Sequence, residues 1–509
     1  MADNFSDVIA KGYAFSGDSL LLGAPLRDGA VEAGGSVRVP ISMMNRHGLV
    51  SGATGTGKTK TLQLLAEQLS AKGVPVFLAD LKGDLSGLAA PGVSSEKIVE
   101  RARDVGVPFT PAACPAEFVS LAGANGVPLR ATVSSFGPLL LARAFGLNET
   151  QQSVLAMVFK LCDDEKLLLL DLADLKAVLH HLTGDGAAPL LAEYGGISKA
   201  TVGVLLRKIV EMEQQGAGRF FGEPAFEVEE LLRVDDSGRG IVTLLELEDV
   251  QDRPALFSTF LMWLLASLYR ELPEVGDLPK PKLVFFFDEA HFLFDDASKA
   301  FLEQVEQVVR MIRSKGVGIF FVTQTPKDVP GDVLAQLSNR VQHALRAFTP
   351  DDEKALKATA NTFPRSEFYD IPKTILSLGI GEALVTVLSE RGTPTPVVAT
   401  RMAPPSSLMG PIPASERSAR VARSPLMAEY GTPVDRESAR EMLLARTESA
   451  GAAPAPHAGR GSVEAPTVAE SVGKAINSPL ARAVGRELVR GLFGVLGVST
   501  TRRRRRRIF

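Results

Sequence analysis

Cysteine is nearly absent, with two residues in 509, Cys114 and Cys162. They fit no metal-binding spacing and suggest no disulfide framework, so a reducing cytoplasm is the expected compartment. An excess of charge of one sign is also missing. The formal net charge is −3 at pH 7, and any nucleic-acid surface must therefore come from local clustering of basic residues. The N-terminus, Met1-Ala2-Asp3-Asn4-Phe5-Ser6-Asp7, has neither the basic start nor the apolar core of a signal peptide. Long hydrophobic runs are lacking too. The most apolar stretch, Ala255 to Tyr269, is interrupted by Ser258, Thr259 and Ser267 and bracketed by Arg253 and Arg270. It reads as a buried helix, and no transmembrane segment is expected. Neither a helix-turn-helix nor a zinc module is evident. The composition, 45% hydrophobic and 23% charged, is that of a soluble globular chain too long for a single core.

The most informative stretch present is Gly52-Ala53-Thr54-Gly55-Thr56-Gly57-Lys58-Thr59, a complete G-x-x-x-x-G-K-[ST] phosphate loop. A short apolar strand, His47 to Ser51, precedes it, and a segment with helical apolar spacing, Thr61 to Leu69, follows. Glycines let backbone N–H groups curl around phosphates, and the following helix points its positive end at them. Lys58 is expected to reach the β- and γ-phosphates of ATP, with the Thr59 hydroxyl on Mg²⁺.

Further along, Val74 to Ala79 reads as a strand that ends in Asp80-Leu81-Lys82-Gly83-Asp84-Leu85-Ser86-Gly87. Ligands gather at the carboxyl ends of strands in open α/β sheets, so this loop is expected to border the nucleotide. Lys282 is followed by a continuous apolar run, Leu283 to Phe287, the mark of a strand buried on both faces, and it delivers Asp288 and Glu289 at its end. Asp288 is the expected Mg²⁺ partner, and Glu289 the carboxylate that orients and polarises the attacking water. His291 is open between packing and a supporting role. Gly316 to Thr323 is another buried strand, ending in Gln324, placed to sense the γ-phosphate or the water.

These elements define an α/β fold with a mostly parallel sheet. The expected organisation is a short lead-in at 1–46 and a P-loop ATPase core at 47–95 and 237–402, with Glu382 to Leu388 as its last strand. A mostly helical insertion is expected at 96–236, a Pro/Ala-rich, low-complexity linker at 403–470 with one helical piece near Arg436 to Arg446, and an amphipathic segment with a tail of six arginines, Arg502 to Arg507, at 471–509. The tail reads as solvated, with contact to DNA phosphates or an anionic membrane as the alternative.

As a set, Asn45-Arg46-His47-Gly48 leading into the phosphate loop, the Asp80–Gly87 loop, Phe287-Asp288-Glu289-Ala290-His291 and Val322-Thr323-Gln324-Thr325-Pro326 resemble the HerA-like helicase C-terminal family of bacterial ATPases, within the HerA/FtsK superfamily. The resemblance covers about residues 17 to 400. It implies a RecA-like parallel sheet and ATP hydrolysis coupled to motion on double-stranded DNA. It also implies a homo-oligomeric ring, usually hexameric, in which a neighbour's arginine completes each site. Arg340 and Arg346 are the first candidates for that arginine, with Arg313 behind them. The stretch before Gly52 is too short for the N-terminal β-barrel of the archetypal translocases, so ATPase activity is the firmer expectation and helicase activity the weaker. A partner nuclease or another client protein is a further implication. The alternatives are an ATPase motor acting on a protein, of the secretion or remodelling type, and a slow nucleotide-switched scaffold.

Overall fold

Each residue from Leu283 to Phe287 is buried. Successive strand side chains face opposite ways, so Phe285 and Phe287 enter one core while Val284 and Phe286 enter another on the far side of the sheet. That double burial explains the unbroken apolar run, since both faces of the strand need apolar side chains. Each fully buried phenylalanine contributes roughly 1.5–3 kcal/mol of transfer free energy.

The structure is a computed structural model that describes residues 4–451 except 33, 122, 185–196, 249 and 296–298. Its strands are β1 (Ser19–Arg27), β2 (Ala30–Val31), β3 (Val37–Pro40), β4 (Gly48–Ser51), β5 (Val76–Asp80), β6 (Ala116–Ser120), β7 (Val127–Pro128), β8 (Val242–Glu246), β9 (Leu283–Phe287), β10 (Val317–Thr323), β11 (Asn339–His343), β12 (Glu382–Thr386) and β13 (Val398–Met402). They form a 13-stranded sheet in the order β2-β1-β13-β12-β11-β4-β10-β9-β5-β8-β6-β7, with β3 paired to β1. From β11 to β7 the pairing is parallel, and β12, β13, β1, β2 and β3 extend the sheet antiparallel. The register opposes Thr323 to Ser51, Phe321 to Phe287, and Ala79 to Phe287. Gly52, Asp80, Asp288 and Gln324 therefore leave the sheet along one edge.

Two helices illustrate the layers. The helix after the phosphate loop, Lys58–Ala71, puts Leu62, Leu65, Ala66 and Leu69 into one core. Helix Pro254–Glu271, the most apolar stretch, buries Leu261, Trp263 and Leu268 in the other. Among the described residues no helix is long and apolar enough to cross a membrane.

The structure differs from the sequence expectations in four places. The lead-in belongs to the sheet, because β1 pairs with β13 and β3. Glu382 to Leu388 does not end the core, since β13 follows and lies between β12 and β1. Within 96–236 the sheet continues through β6, parallel to β8, and helices Val133–Ala144, Glu149–Glu165, Leu172–His181 and Lys199–Gln214 come after it.

The largest difference is the segment expected as linker from residue 403. Besides the helical piece expected near Arg436 to Arg446, which is helix Ala439–Gly451, helices Ala414–Arg423 and Pro425–Tyr430 occupy it, and Leu426, Tyr430 and Leu443 are buried in the core. The described residues up to 448 pack as one compact unit. The expected amphipathic segment and arginine tail at 471–509 lie outside the described residues.

His47, at the start of β4, is buried; its Nε2 lies 2.7 Å from the Val309 carbonyl, and its Nδ1 accepts the Ile319 amide at 3.0 Å. Those partners fix the tautomer with the proton on Nε2. Burial pushes its pKa down to about 4. The folded form thus holds the ring neutral while the unfolded chain protonates it near 6.5. Stability from this group is present above pH 6.5 and is lost as pH falls towards 4, by roughly 2 kcal/mol between pH 7 and 5. The stability gap between the natural chain and His47→Asn is expected to narrow by about that amount over the same interval, read by urea unfolding. A gap independent of pH would contradict the neutral assignment.

Candidate nucleotide-binding and hydrolytic site

The phosphate loop is tied to the strands on either side of β4. The Gly52 amide donates to the carbonyls of Thr323 and Gln324 at 3.3 and 3.2 Å, and the Ala53 amide to Ala344 at 2.8 Å. Gly52 has φ +152, and a Cβ there would lie 2.5 Å from the His343 Cβ. Only glycine meets both conditions. Gly57, in the left-handed region at φ +117, opens the helix Lys58–Ala71 without a side-chain cap, which leaves the first amides of that helix as donors for an anion. The rim formed by Thr54 and Gly55 is exposed, while Lys58 is buried and donates from Nζ to the Gly52 and Ala53 carbonyls at 2.8 and 3.2 Å. Burial lowers the Lys58 pKa, and the charges of Glu289 and Asp288 oppose that shift. Thr59 is half-buried in the first turn.

His343 buttresses the loop from below. Its Nδ1 lies 2.9 Å from the Glu382 carbonyl and its Nε2 2.9 Å from the Thr61 hydroxyl. A carbonyl can only accept, so Nδ1 carries the proton and Nε2 accepts from Thr61. Burial holds this ring uncharged, with its pKa pushed down to about 4.

The acidic pair emerges from β9 beside the loop. Asp288 is 8% exposed and accepts the Glu289 amide at 2.9 Å. Burial first, and then the Glu289 charge, raises its pKa to about 7. Glu289 is buried in the left-handed region at φ +48, a conformation that costs a non-glycine residue about 1–3 kcal/mol. One carboxylate oxygen, Oε1, accepts from Lys82 Nζ. The other, Oε2, has no hydrogen-bond partner and lies 3.4 Å from His291 Nδ1, which also has none.

The remaining expected residues divide between the site edge and elsewhere. Gln324 is exposed at the end of β10; its neighbours Thr323 and Thr325 are both anchored to Asp328, and its carbonyl receives the Gly52 amide. Arg346 is exposed just beyond Ala344, which holds the loop. Arg340 is the second residue of β11, and its guanidinium donates to the Leu337 and Leu334 carbonyls at 3.2 and 3.4 Å. Arg313 is exposed between helix Lys299–Ile312 and β10, at the amino ends of the strands, across the sheet from the loop.

Several residues at the site had no assigned role in the sequence. Asp80 is fully buried and receives the amides of Lys82, Gly83 and Leu85 at 3.1, 2.8 and 2.8 Å, which sets the turn that carries Lys82. Arg101 donates to the Gly381 and Ile380 carbonyls at 2.9 and 3.0 Å, and the Gly381 amide donates to the Thr56 carbonyl at 2.9 Å. A cleft of about 200 Å³ opens there, lined by Gly57, Lys60, Lys97, Arg101 and Met409 among others. The motif Asp80–Gly87 pointed to the Lys82 turn, but nothing local in sequence marked His343 or Arg101.

A phosphate loop at the carboxyl edge of a mostly parallel sheet, with an acidic pair on the second strand away, defines a P-loop NTPase of the RecA-like α/β class. Within that class, the chain belongs to the helicase HerA-like C-terminal family, which matches residues 26–464. It is similar to the probable helicase MJECL08 of Methanocaldococcus jannaschii, 28% identical over 154 residues, which are 28% of each chain. It is also similar to the DNA double-strand break repair helicase HerA of Sulfolobus acidocaldarius, 22% identical over 69% of this chain and 64% of that one. The chain thus spans 28% and 64% of the length of these two relatives. Among solved structures, plasmid coupling protein TrwB in complex with the non-hydrolysable ATP analogue ADPNP superposes with a TM-score of 0.50 at 15% identity, over 79% of this chain and 98% of that one.

Proposed function

We propose that the chain is an ATP-hydrolysing motor of the cytoplasm that assembles as a ring, hexameric by family resemblance, and translocates on double-stranded DNA. The observation that carries hydrolysis is the buried, unpartnered Oε2 of Glu289 beside the phosphate loop. A free acceptor in that position can take a hydrogen bond from the attacking water. The site also fits the nucleotide and its metal. The loop amides and Lys58 would hold the phosphates. Thr59 and Asp288 would hold Mg²⁺, whose charge answers the raised pKa of Asp288. Bound Mg²⁺ would neutralise charge on the phosphates. Glu289 then accepts the water proton as water oxygen bonds to the γ-phosphorus and the β–γ bridging bond breaks, and Gln324 orients the water or terminal phosphate.

Completion by a neighbouring subunit favours Arg346 or Arg313, both exposed, over Arg340, whose guanidinium is engaged with the Leu337 and Leu334 carbonyls. The DNA load rests on the family and on the relatives' names. A partner nuclease rests on the family resemblance alone. ATP turnover measured with and without duplex DNA at one fixed salt concentration tests the load. We expect duplex DNA to raise the rate, by roughly tenfold if translocation and hydrolysis are coupled by about 1.4 kcal/mol. An unchanged rate with both single- and double-stranded DNA would remove DNA as the load and leave a protein client, or a slow nucleotide-switched scaffold if the rate is low throughout.

A further inference from the structure

Lys82 occupies a position that neither phosphate binding nor water activation explains. Its backbone is fixed by Asp80, whose carboxylate receives the amides of Lys82, Gly83 and Leu85. A side chain on Gly83 would meet Glu248 Oε1 at 2.0 Å, so the turn is also confined from outside. The four-carbon stem of Lys82 is then the mobile part. Its side chain is 51% exposed, whereas the Glu289 side chain that it grips is 6% exposed.

The two ends of this ion pair are therefore unequal. Glu289 is fixed at φ +48 and buried, while the ammonium stands at the mouth of the site with water beside it. Water can replace the carboxylate on the half-exposed ammonium, so the cation is the end of the pair that can leave. The Lys82 charge also acts on Lys58 and feels Asp288, which places it within electrostatic reach of the phosphate-binding lysine. A lysine is a compact charge on a flexible stem, suited to exchange one anion for another.

We propose that Lys82 is a latch on Glu289 that transfers to the terminal phosphate of a bound nucleoside triphosphate, releasing Oε1 so that the whole carboxylate faces the water. This rests on the reading of Gly52–Thr59 as the nucleotide loop and of Glu289 as the water-activating carboxylate. The latch frees Oε1, the second oxygen of the carboxylate, only when a third phosphate is present. A diphosphate leaves Lys82 on Glu289.

The distinguishing measurement is affinity for nucleotide with and without the third phosphate, by calorimetry on the full chain with Mg²⁺. Lys82→Met is expected to weaken binding of the non-hydrolysable analogue ADPNP about tenfold, the size of one charge-assisted hydrogen bond, and to leave ADP within about twofold. Lys82→Arg keeps the cation and should retain most of the preference for ADPNP. Lys82→Gln provides the same test as Lys82→Met if that variant is unstable. Equal weakening of ADPNP and ADP, or none of either, overturns the latch. Failure of the natural chain to bind either nucleotide instead overturns the nucleotide reading itself.

Discussion

Glu289→Gln is expected to lower ATP turnover by about 10²–10⁴-fold, the range a positioned proton acceptor contributes, while ATP still binds. Glutamine has nearly the same shape, so it can occupy the same buried slot at φ +48. Its amide cannot take a proton from water at neutral pH. The variant also loses the ion pair with Lys82, but Lys82 is half-exposed and water replaces the lost partner. Melting temperature should therefore change little, which separates a chemical defect from a folding one. Phosphate release measured at saturating ATP, alongside ATP binding by calorimetry, decides the matter. Turnover within a few-fold of the natural chain would show that Glu289 does not activate the water, and the role would pass to another group at the edge of β10, where Gln324 stands.

The parts of this site that were legible in sequence are those whose chemistry is local. The phosphate loop has fixed spacing because consecutive amides must wrap one anion. The runs that became β9 and β10 are continuous because both faces of each strand are buried. Where function arises from chain segments far apart, the sequence is silent. Lys82 and Glu289 are separated by 207 positions, and only the neighbouring of β5 and β9 brings them together. His343 supports Gly52 across an even longer separation. Strand β6 was lost in a helix-rich region because Ala116–Ser120 is short and its first two residues are half-buried, so no apolar run announces it. The segment after β13 failed for another reason. Its Pro, Ala and Ser content is that of a linker, and its attachment depends on hydrogen bonds from backbone and small polar groups, which have no periodic signature.

That attachment has the second large consequence: a chain ending at residue 402 is expected to aggregate or melt without a cooperative transition, whereas one ending at residue 448 should fold cooperatively. The segment is a strap across the nucleotide side of the sheet. Ser406 and Ser407 donate backbone amides to Glu67 at 2.7 and 3.0 Å, and the Leu408 carbonyl accepts from Gln63 at 3.0 Å. Both acceptor and donor side chains lie on the helix that follows the phosphate loop. The Leu408 and Gly410 carbonyls approach Gly87 so closely that a Cβ there would meet them at 2.2 and 2.1 Å, and the Ile412 amide donates to Ser86 at 3.2 Å. Arg417 pairs with the fully buried Glu246 at the end of β8 at 2.9 Å. Further on, Tyr430 accepts from the buried Arg130 at 2.7 Å, and the Arg440 amide donates to Asp174 at 3.0 Å. Removing the strap takes partners from Glu67, Glu246, Arg130 and Asp174 together. Stripping one buried ion of its partner costs about 3–5 kcal/mol, and each buried Leu or Tyr side chain adds roughly 1.5–3 kcal/mol. Against a typical total stability of about 5–15 kcal/mol, the sum leaves no margin. Scanning calorimetry of the two truncated chains separates the cases. A chain ending at residue 402 that melts within a few degrees of its longer counterpart would return this segment to the status of a linker. The outcome expected instead makes residues 404–448 a working part of the site, because the same strap fixes both the helix that presents Lys58 and the loop that presents Lys82.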